Sequence, residues 1–193
     1  MVIHKALGLL LLFLTCTNAE YLVGHSWIET PECFSIDRTM LPTERLVLLS
    51  EGYELVVDVE VARTTEARFQ GLQCRMEIPN KTGMLFEFPS DVNTGFWMFN
   101  TYVPLDLIYF NKSGVAVAGS TLQPCPRLLS EQETVWRNRC VEATLPFIPK
   151  YSYRYVLETT AGWLQTEGVF MDSIRGNLQM RRDKPSYPIE KEI

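Results

Sequence analysis

Two stretches of this chain alternate apolar and polar residues so regularly that little choice of local structure remains. Between Tyr53 and Ala62, Leu55, Val57, Val59 and Val61 alternate with Glu54, Val56, Asp58 and Glu60. Successive side chains of a strand point to opposite faces, so a period of two with one mainly polar face marks a half-buried β-strand. Tyr151, Tyr153, Tyr155 and Leu157 repeat the pattern against Ser152, Arg154, Val156 and Glu158. Leu46-Val47-Leu48-Leu49 precedes the first stretch across Ser50-Glu51-Gly52, a hairpin signal. A second hairpin is read in Leu105 to Phe110 and Val115 to Leu122, around Asn111-Lys112-Ser113-Gly114. Met84 to Phe88, ended by Pro89, and Gly95 to Phe99 are shorter apolar runs. Thr64 or Thr65 can cap a short helix through Gln70 that Gly71 ends, and Thr159 to Gly168 reads as another. A last strand is expected near Val169, and residues 123–146 read as one long loop. The pattern predicts a mainly β chain: a single-domain β-sandwich or partly open barrel with two short helices.

The N-terminus reads differently. Lys5 is followed by the apolar run Ala6 to Leu14, then by small residues at Thr17 and Ala19. This is the plan of a signal peptide cleaved after Ala19, and the run is shorter than the roughly 20 residues a membrane span needs. The organisation expected is a signal peptide over residues 1–19, an irregular extension over 20–44, the β domain over 45–175 and a flexible charged tail over 176–193. Such a chain is exported, to a periplasm or out of the cell, and its mature part carries no membrane span. The net charge of -5 excludes nucleic acid as the expected partner, because phosphate contacts require clustered Lys and Arg. No heptad or exposed apolar helix points to self-association, so a monomer is expected.

Cysteine usage suits an oxidising compartment. Cys16 falls in the leader, and Cys33, Cys74, Cys125 and Cys140 remain. Cys125 and Cys140 bracket a polar loop, and a bond between them would contribute about 3 kcal/mol in the loop-entropy account. Cys33 with Cys74 would then staple the extension to the domain; the alternative leaves Cys74 as a free buried thiol. No Cys-x-x-Cys occurs, and His25 is the one histidine after the leader, so no metal and no cofactor is expected.

An ordered series of residues carries a family resemblance. Arg68-x-x-Gly71-Leu72-x-x-Arg75 is followed by Gly83-Met84-Leu85-Phe86-x-Phe88. Then come Phe96-Trp97-Met98-x-Asn100-Thr101, Pro104-Leu105-Asp106 and Gly114, and later Arg154-Tyr155-Val156-Leu157-Glu158 with Ala161-Gly162. This series, over roughly Val56 to Asp172, resembles the family called domain of unknown function 192. The resemblance implies a small β-sandwich-like domain, commonly exported in bacteria, and lends no catalytic residues. Cys74 stands where a large apolar residue is usual, which supports a local disulfide, and Met171 replaces a glycine before Asp172.

The chemistry is narrowed mostly by elimination. With His25 alone available, a Ser-His-Asp or Cys-His enzyme would need that residue to dock from the extension. No glycine-rich phosphate loop is present. The densest constellation is Trp97, Asn100, Thr101 and Asp106, with Arg75 or Arg154 as partner for Asp106 if it is buried. It reads either as a small polar pocket walled by an aromatic ring, or as a packed Trp97, a turn at Asn100-Thr101 and a fixing ion pair at Asp106. Asp58, Glu60, Glu87, Asp106 and Glu158 lie on or near expected strands, and two of them facing one cleft could hydrolyse glycosides. Asn80-Lys81-Thr82 and Asn111-Lys112-Ser113 are glycosylation sequons in expected loops. The function expected is a non-catalytic exported module binding a small polar ligand or another exported protein. A carboxylate-based glycan hydrolase and a structural or accessory protein, contacting partners through the extension and the loop from Gln123 to Pro146, are the alternatives.

Overall fold

The computed structural model describes residues 27–36 and 41–183. The expected signal peptide over residues 1–19, with Cys16, and His25 lie outside the described residues. In chain order the elements are β1 Trp27–Ile28, α1 Pro31–Ser35, β2 Thr43–Ser50, β3 Tyr53–Ala62, α2 Thr65–Gln70, β4 Thr82–Val92, β5 Leu105–Phe110 and β6 Ala116–Leu122. Then follow β7 Arg127–Leu128, α3 Glu133–Thr144, β8 Tyr153–Thr160, α4 Trp163–Thr166 and β9 Gln179–Asp183. The protein is mostly β, and one seven-stranded sheet runs β6-β5-β8-β4-β3-β2-β9. Only β3 and β4 pair in parallel, through the crossover that contains α2; the other neighbours are antiparallel.

The sheet curls as a half-barrel until its two edges meet. Met180 on β9 donates its N–H to Gly114 O at 2.7 Å, and Val115 bridges Gln179. Gly114 has φ +78°, and a Cβ there would lie 2.4 Å from Met180 O, so the close approach needs glycine. The concave face holds the alternating residues Leu55, Val57, Val59 and Val61 with Leu46, Leu48, Leu85, Ile108 and Leu157, plugged by Trp163 and Leu164 of α4. A second apolar layer covers the convex face of the central strands. There Met84, Phe86, Leu107, Tyr109 and Val156 pack under Leu72, Met98 and Trp136. Burial on both faces explains why all six residues of β5 are inside.

Both hairpins form where the turn signals place them. The Thr64 hydroxyl caps α2 by accepting from the Ala67 N–H at 3.1 Å, and the Gly71 N–H closes the other end on Ala67 O. Other details differ from the expectation. Two short helices are too few: the loop read over 123–146 contains the twelve-residue α3, whose buried Trp136, Cys140 and Thr144 recur every fourth residue. The segment Thr159 to Gly168 is strand to Thr160 before the single turn of α4. The last strand is not near Val169 but at Gln179–Asp183, within the residues read as a charged tail. Its Arg182 is drawn in by Glu87, at 2.6 Å, and Glu44, at 3.4 Å. β4 passes through Pro89 because its pairing with β8 lapses between Glu87 and Val92, where a missing N–H costs no ladder bond. Among the described residues no helix is long and apolar enough to cross a membrane.

Candidate functional site

The residues singled out in the sequence do not form one site. Asp106 is buried, at 3% exposure, but neither Arg75 nor Arg154 reaches it. Its two oxygens accept from the Thr121 hydroxyl at 2.6 Å and the Gly162 N–H at 2.8 Å. It thus fastens β5 to β6 and to the turn after β8, and burial raises its pKa above the usual carboxylate value against those two bonds. Arg75 instead grips Glu60 with two bonds, of 2.6 and 2.7 Å, and Arg154 pairs with Asp91 at 2.8 Å. The expected ion pair at Asp106 is therefore replaced by hydrogen bonds from two uncharged donors, because the strand register offers it a hydroxyl and a turn amide.

Trp97, Asn100 and Thr101 do gather. Asn100 is in the left-handed region at φ +51°, its O accepting from the Cys74 N–H at 2.7 Å and its Oδ1 from the Thr30 hydroxyl at 3.0 Å. The Thr101 hydroxyl turns back to Phe99 O at 3.3 Å. Trp97 is 46% exposed and stands edge-on to Phe69, itself 63% exposed, with ring centroids 5.5 Å apart. From Trp97 the rings continue through Phe99, at 6.0 Å, to Trp136, a further 5.6 Å away.

This ladder of rings floors an open cleft of about 590 Å³, edged by Glu32, Gln70, Gln73, Asn100 and Arg137. The guanidinium of Arg137 lies 5.5 Å from the centre of Phe99 and 5.4 Å from that of Trp136, and 3.6 Å from Glu32. A second hollow of about 320 Å³ opens on the other side of Phe69 and Trp97, between Phe88, Thr94 and Arg68. The walls of the larger cleft come from outside the sheet: α1 gives Glu32 and Ser35, and α3 gives Trp136 and Arg137. Each of those helices is held by a cystine. Cys33 of α1 bonds Cys74, with Cα atoms 5.6 Å apart, and Cys140 of α3 bonds Cys125, at 5.8 Å. The indole N–H of Trp136 donates to Cys125 O at 2.9 Å and sets the ring. Short helices of this length are not stable alone, so the two bonds fix the geometry of the cleft.

Beneath Phe69 and Trp97 is a small cavity of about 30 Å³, lined by Phe86, Phe96, Thr101, Leu105 and Glu158 among others. Glu158 is 4% exposed. No described residue gives its carboxyl a hydrogen bond or a counter-charge, and burial alone pushes its pKa up to about 8. The buried Tyr109 hydroxyl lies on the same face of β5, beside the buried Ser120 hydroxyl on β6. Glu158 is the residue the sequence reading undervalued. It stood in the list of strand carboxylates, and its position opposite Leu157 put it on the polar side of an alternating strand. The signal that could have found it is β5, apolar but for Asp106, which pairs Leu107 with Glu158 and has to be covered on both faces.

The sequon residues occupy turns. Asn80 is exposed just before β4, and Asn111 accepts from the N–H groups of Ser113 and Val115 through Oδ1 in the β5–β6 turn. Among the described residues no group of three or more His, Cys, Asp or Glu side chains could hold a metal ion.

The architecture defines a curled, mostly β domain with a ring-floored cleft on its convex side. The family model of DUF192, described as an uncharacterized ACR, matches residues 47–173, and the chain belongs to that family. Among solved structures, a Sinorhizobium meliloti protein named as a candidate transcription regulator superposes with a TM-score of 0.57 at 24% identity, over 76% of this chain and 98% of that one. A protein of unknown function from Novosphingobium aromaticivorans gives a TM-score of 0.57 at 20% identity, over 82% of this chain and 94% of that one. These likenesses are of fold alone. No curated protein matches the chain.

Proposed function

We propose that this protein is an exported, non-catalytic module whose cleft along Phe69, Trp97, Phe99 and Trp136 binds a small ligand with both a flat apolar face and polar groups. One observation carries the reading. Two large rings, Phe69 and Trp97, stand half-exposed in a concavity of ligand size instead of packed away, with Phe99 partly buried beside them, Trp136 buried behind it and hydrogen-bonding side chains at the edge. Ligand sites have this composition: apolar walls for affinity and a few polar groups for orientation. Export is supported by the leader-like sequence of residues 1–19 and by two cystines, which persist in oxidising compartments.

The hydrolase alternative needs two acids facing one cleft. Asp58 pairs with Arg45, Glu60 with Arg75 and Glu87 with Arg63 and Arg182, while Asp106 is held by Thr121 and Gly162. Glu158 therefore faces its cavity without a second strand carboxylate, which favours binding over hydrolysis. The extension and the 123–146 segment, which the accessory-protein alternative would use for contacts, instead build the walls of the cleft through α1 and α3.

Native mass spectrometry of the exported protein, beside a denatured spectrum of the same sample, tests the proposal. The expected result is an added mass in the native spectrum that the Trp97→Ala variant loses while keeping its fold. An adduct retained in full by Trp97→Ala would place binding elsewhere and overturn the proposal.

A further inference from the structure

We propose that the cavity beneath Phe69 and Trp97 is an ammonium-binding subsite, in which Glu158 takes the cationic head of a small organic amine whose body lies in the aromatic cleft. This deepens the binding reading above and rests on it.

Glu158 is on β8, between Met84 of β4 and Leu107 of β5, with no counter-charge from any described residue. A buried carboxyl without a partner is costly, and cores do not need one: a leucine would fill the layer better. The cavity of about 30 Å³ at its head is the size of one small polar group, on the scale of a water molecule. Four of its other walls are rings, Phe69, Phe86, Phe96 and Trp97, beside Leu72, Leu105 and the polar Thr101, Gln70 and Gln73. Phe86 and Phe96 meet edge-to-face with centroids 5.0 Å apart, and Trp97 closes the top. Aromatic faces around a carboxylate suit a cation, which the rings attract and the carboxylate neutralises. A hydroxyl of equal size would hydrogen-bond the protonated carboxyl, so its binding would not strengthen as pH rises, which sets the two head groups apart.

Two other titratable groups lie near Glu158, Arg68 in the cavity wall and Tyr109 outside it. Arg68 of α2 lines the cavity, but its guanidinium is turned to the carbonyls of Arg63 and Glu87 and over the ring of Phe88, at 5.2 Å. Tyr109 of β5, packed against Tyr153 of β8, remains neutral because burial raises both phenols. Glu158 is then the group that exchanges its proton for the incoming cation. Binding should strengthen by about tenfold per pH unit between about pH 6 and 7, and level off once the free carboxyl is already ionised, above about pH 8.

The test compares phenethylamine with phenethyl alcohol, which share ring and chain and differ in the head group, by amide chemical-shift titration of the full mature protein. Support is an amine preference of at least about tenfold in the wild type, with the stated pH dependence, that Glu158→Gln abolishes while its thermal melt stays cooperative. The wild-type pH series alone decides the matter if the variant fails to fold. Equal binding of both probes, lost in Trp97→Ala, would overturn the ammonium subsite and leave the cleft standing. An amine preference surviving in Glu158→Gln, or no binding of either probe, would also overturn it, and the latter would remove support from the cleft as well.

Discussion

Replacing Glu158 by glutamine should stabilise this protein, by an amount that grows with pH. The unfolded chain ionises this carboxyl near the ordinary value of 4.5, whereas burial holds the folded one near 8. Between those values the unfolded state has already released a proton that the folded state keeps, so the group's contribution to stability falls as pH rises. At about 1.4 kcal/mol per unit, the cost reaches about 3 kcal/mol at about pH 7 and about 5 kcal/mol by about pH 9, relative to about pH 4. Glutamine has nearly the same shape and no charge to bury. Urea unfolding of both proteins across this range gives the difference directly, and the raised acid Asp106, common to both, cancels. The predicted result is near-equality at about pH 4 and a gap of about 3 kcal/mol in favour of the variant at about pH 7. A difference that stays flat with pH would refute the reasoning, since it would mean that Glu158 ionises alike in both states.

Three further outcomes follow from named contacts. Asp106→Ala leaves the Gly162 N–H and the Thr121 hydroxyl without their acceptor, and should cost about 2–4 kcal/mol by urea unfolding while probe binding at Trp97 persists. A Cβ on Gly83 would lie 2.1 Å from Glu158 O, so Gly83→Ala should part β4 from β8 and lower stability by about 3 kcal/mol or more, seen as a shifted denaturation midpoint. The double change Cys125→Ser with Cys140→Ser should cost about 3 kcal/mol and weaken cleft binding while the far-ultraviolet spectrum keeps its β character, because the bond anchors α3 rather than the sheet.

How far the sequence revealed this molecule depended on how many faces each element buries. β3 has one wet face, and its alternation was readable at once, as were both hairpins and the caps of α2. The cysteine partners were legible because Cys125 and Cys140 bracket one segment and leave Cys33 to Cys74. What escaped were features set by long-range contacts. β9 is a charged strand recruited by Glu87 and Glu44, and nothing local marks it as a strand. α3 shows one narrow stripe, and its place is set by a cystine and by Trp136. At the site, the cluster from Trp97 to Thr101 was visible as an unusual run of aromatic and amide groups. The partners of Asp106 and the isolation of Glu158 were not legible, because alternation says which side of a strand a residue faces but not whether a second layer covers that side.

The ring-floored cleft is the place where we propose that this protein binds small molecules. A crystallographic fragment screen on the oxidised mature chain tests it most directly. Ring-bearing fragments should collect against Phe69, Trp97 and Phe99, with amine-bearing ones directed toward Glu158. Fragments scattered over the surface, or gathered elsewhere with this cleft left empty, would contradict it.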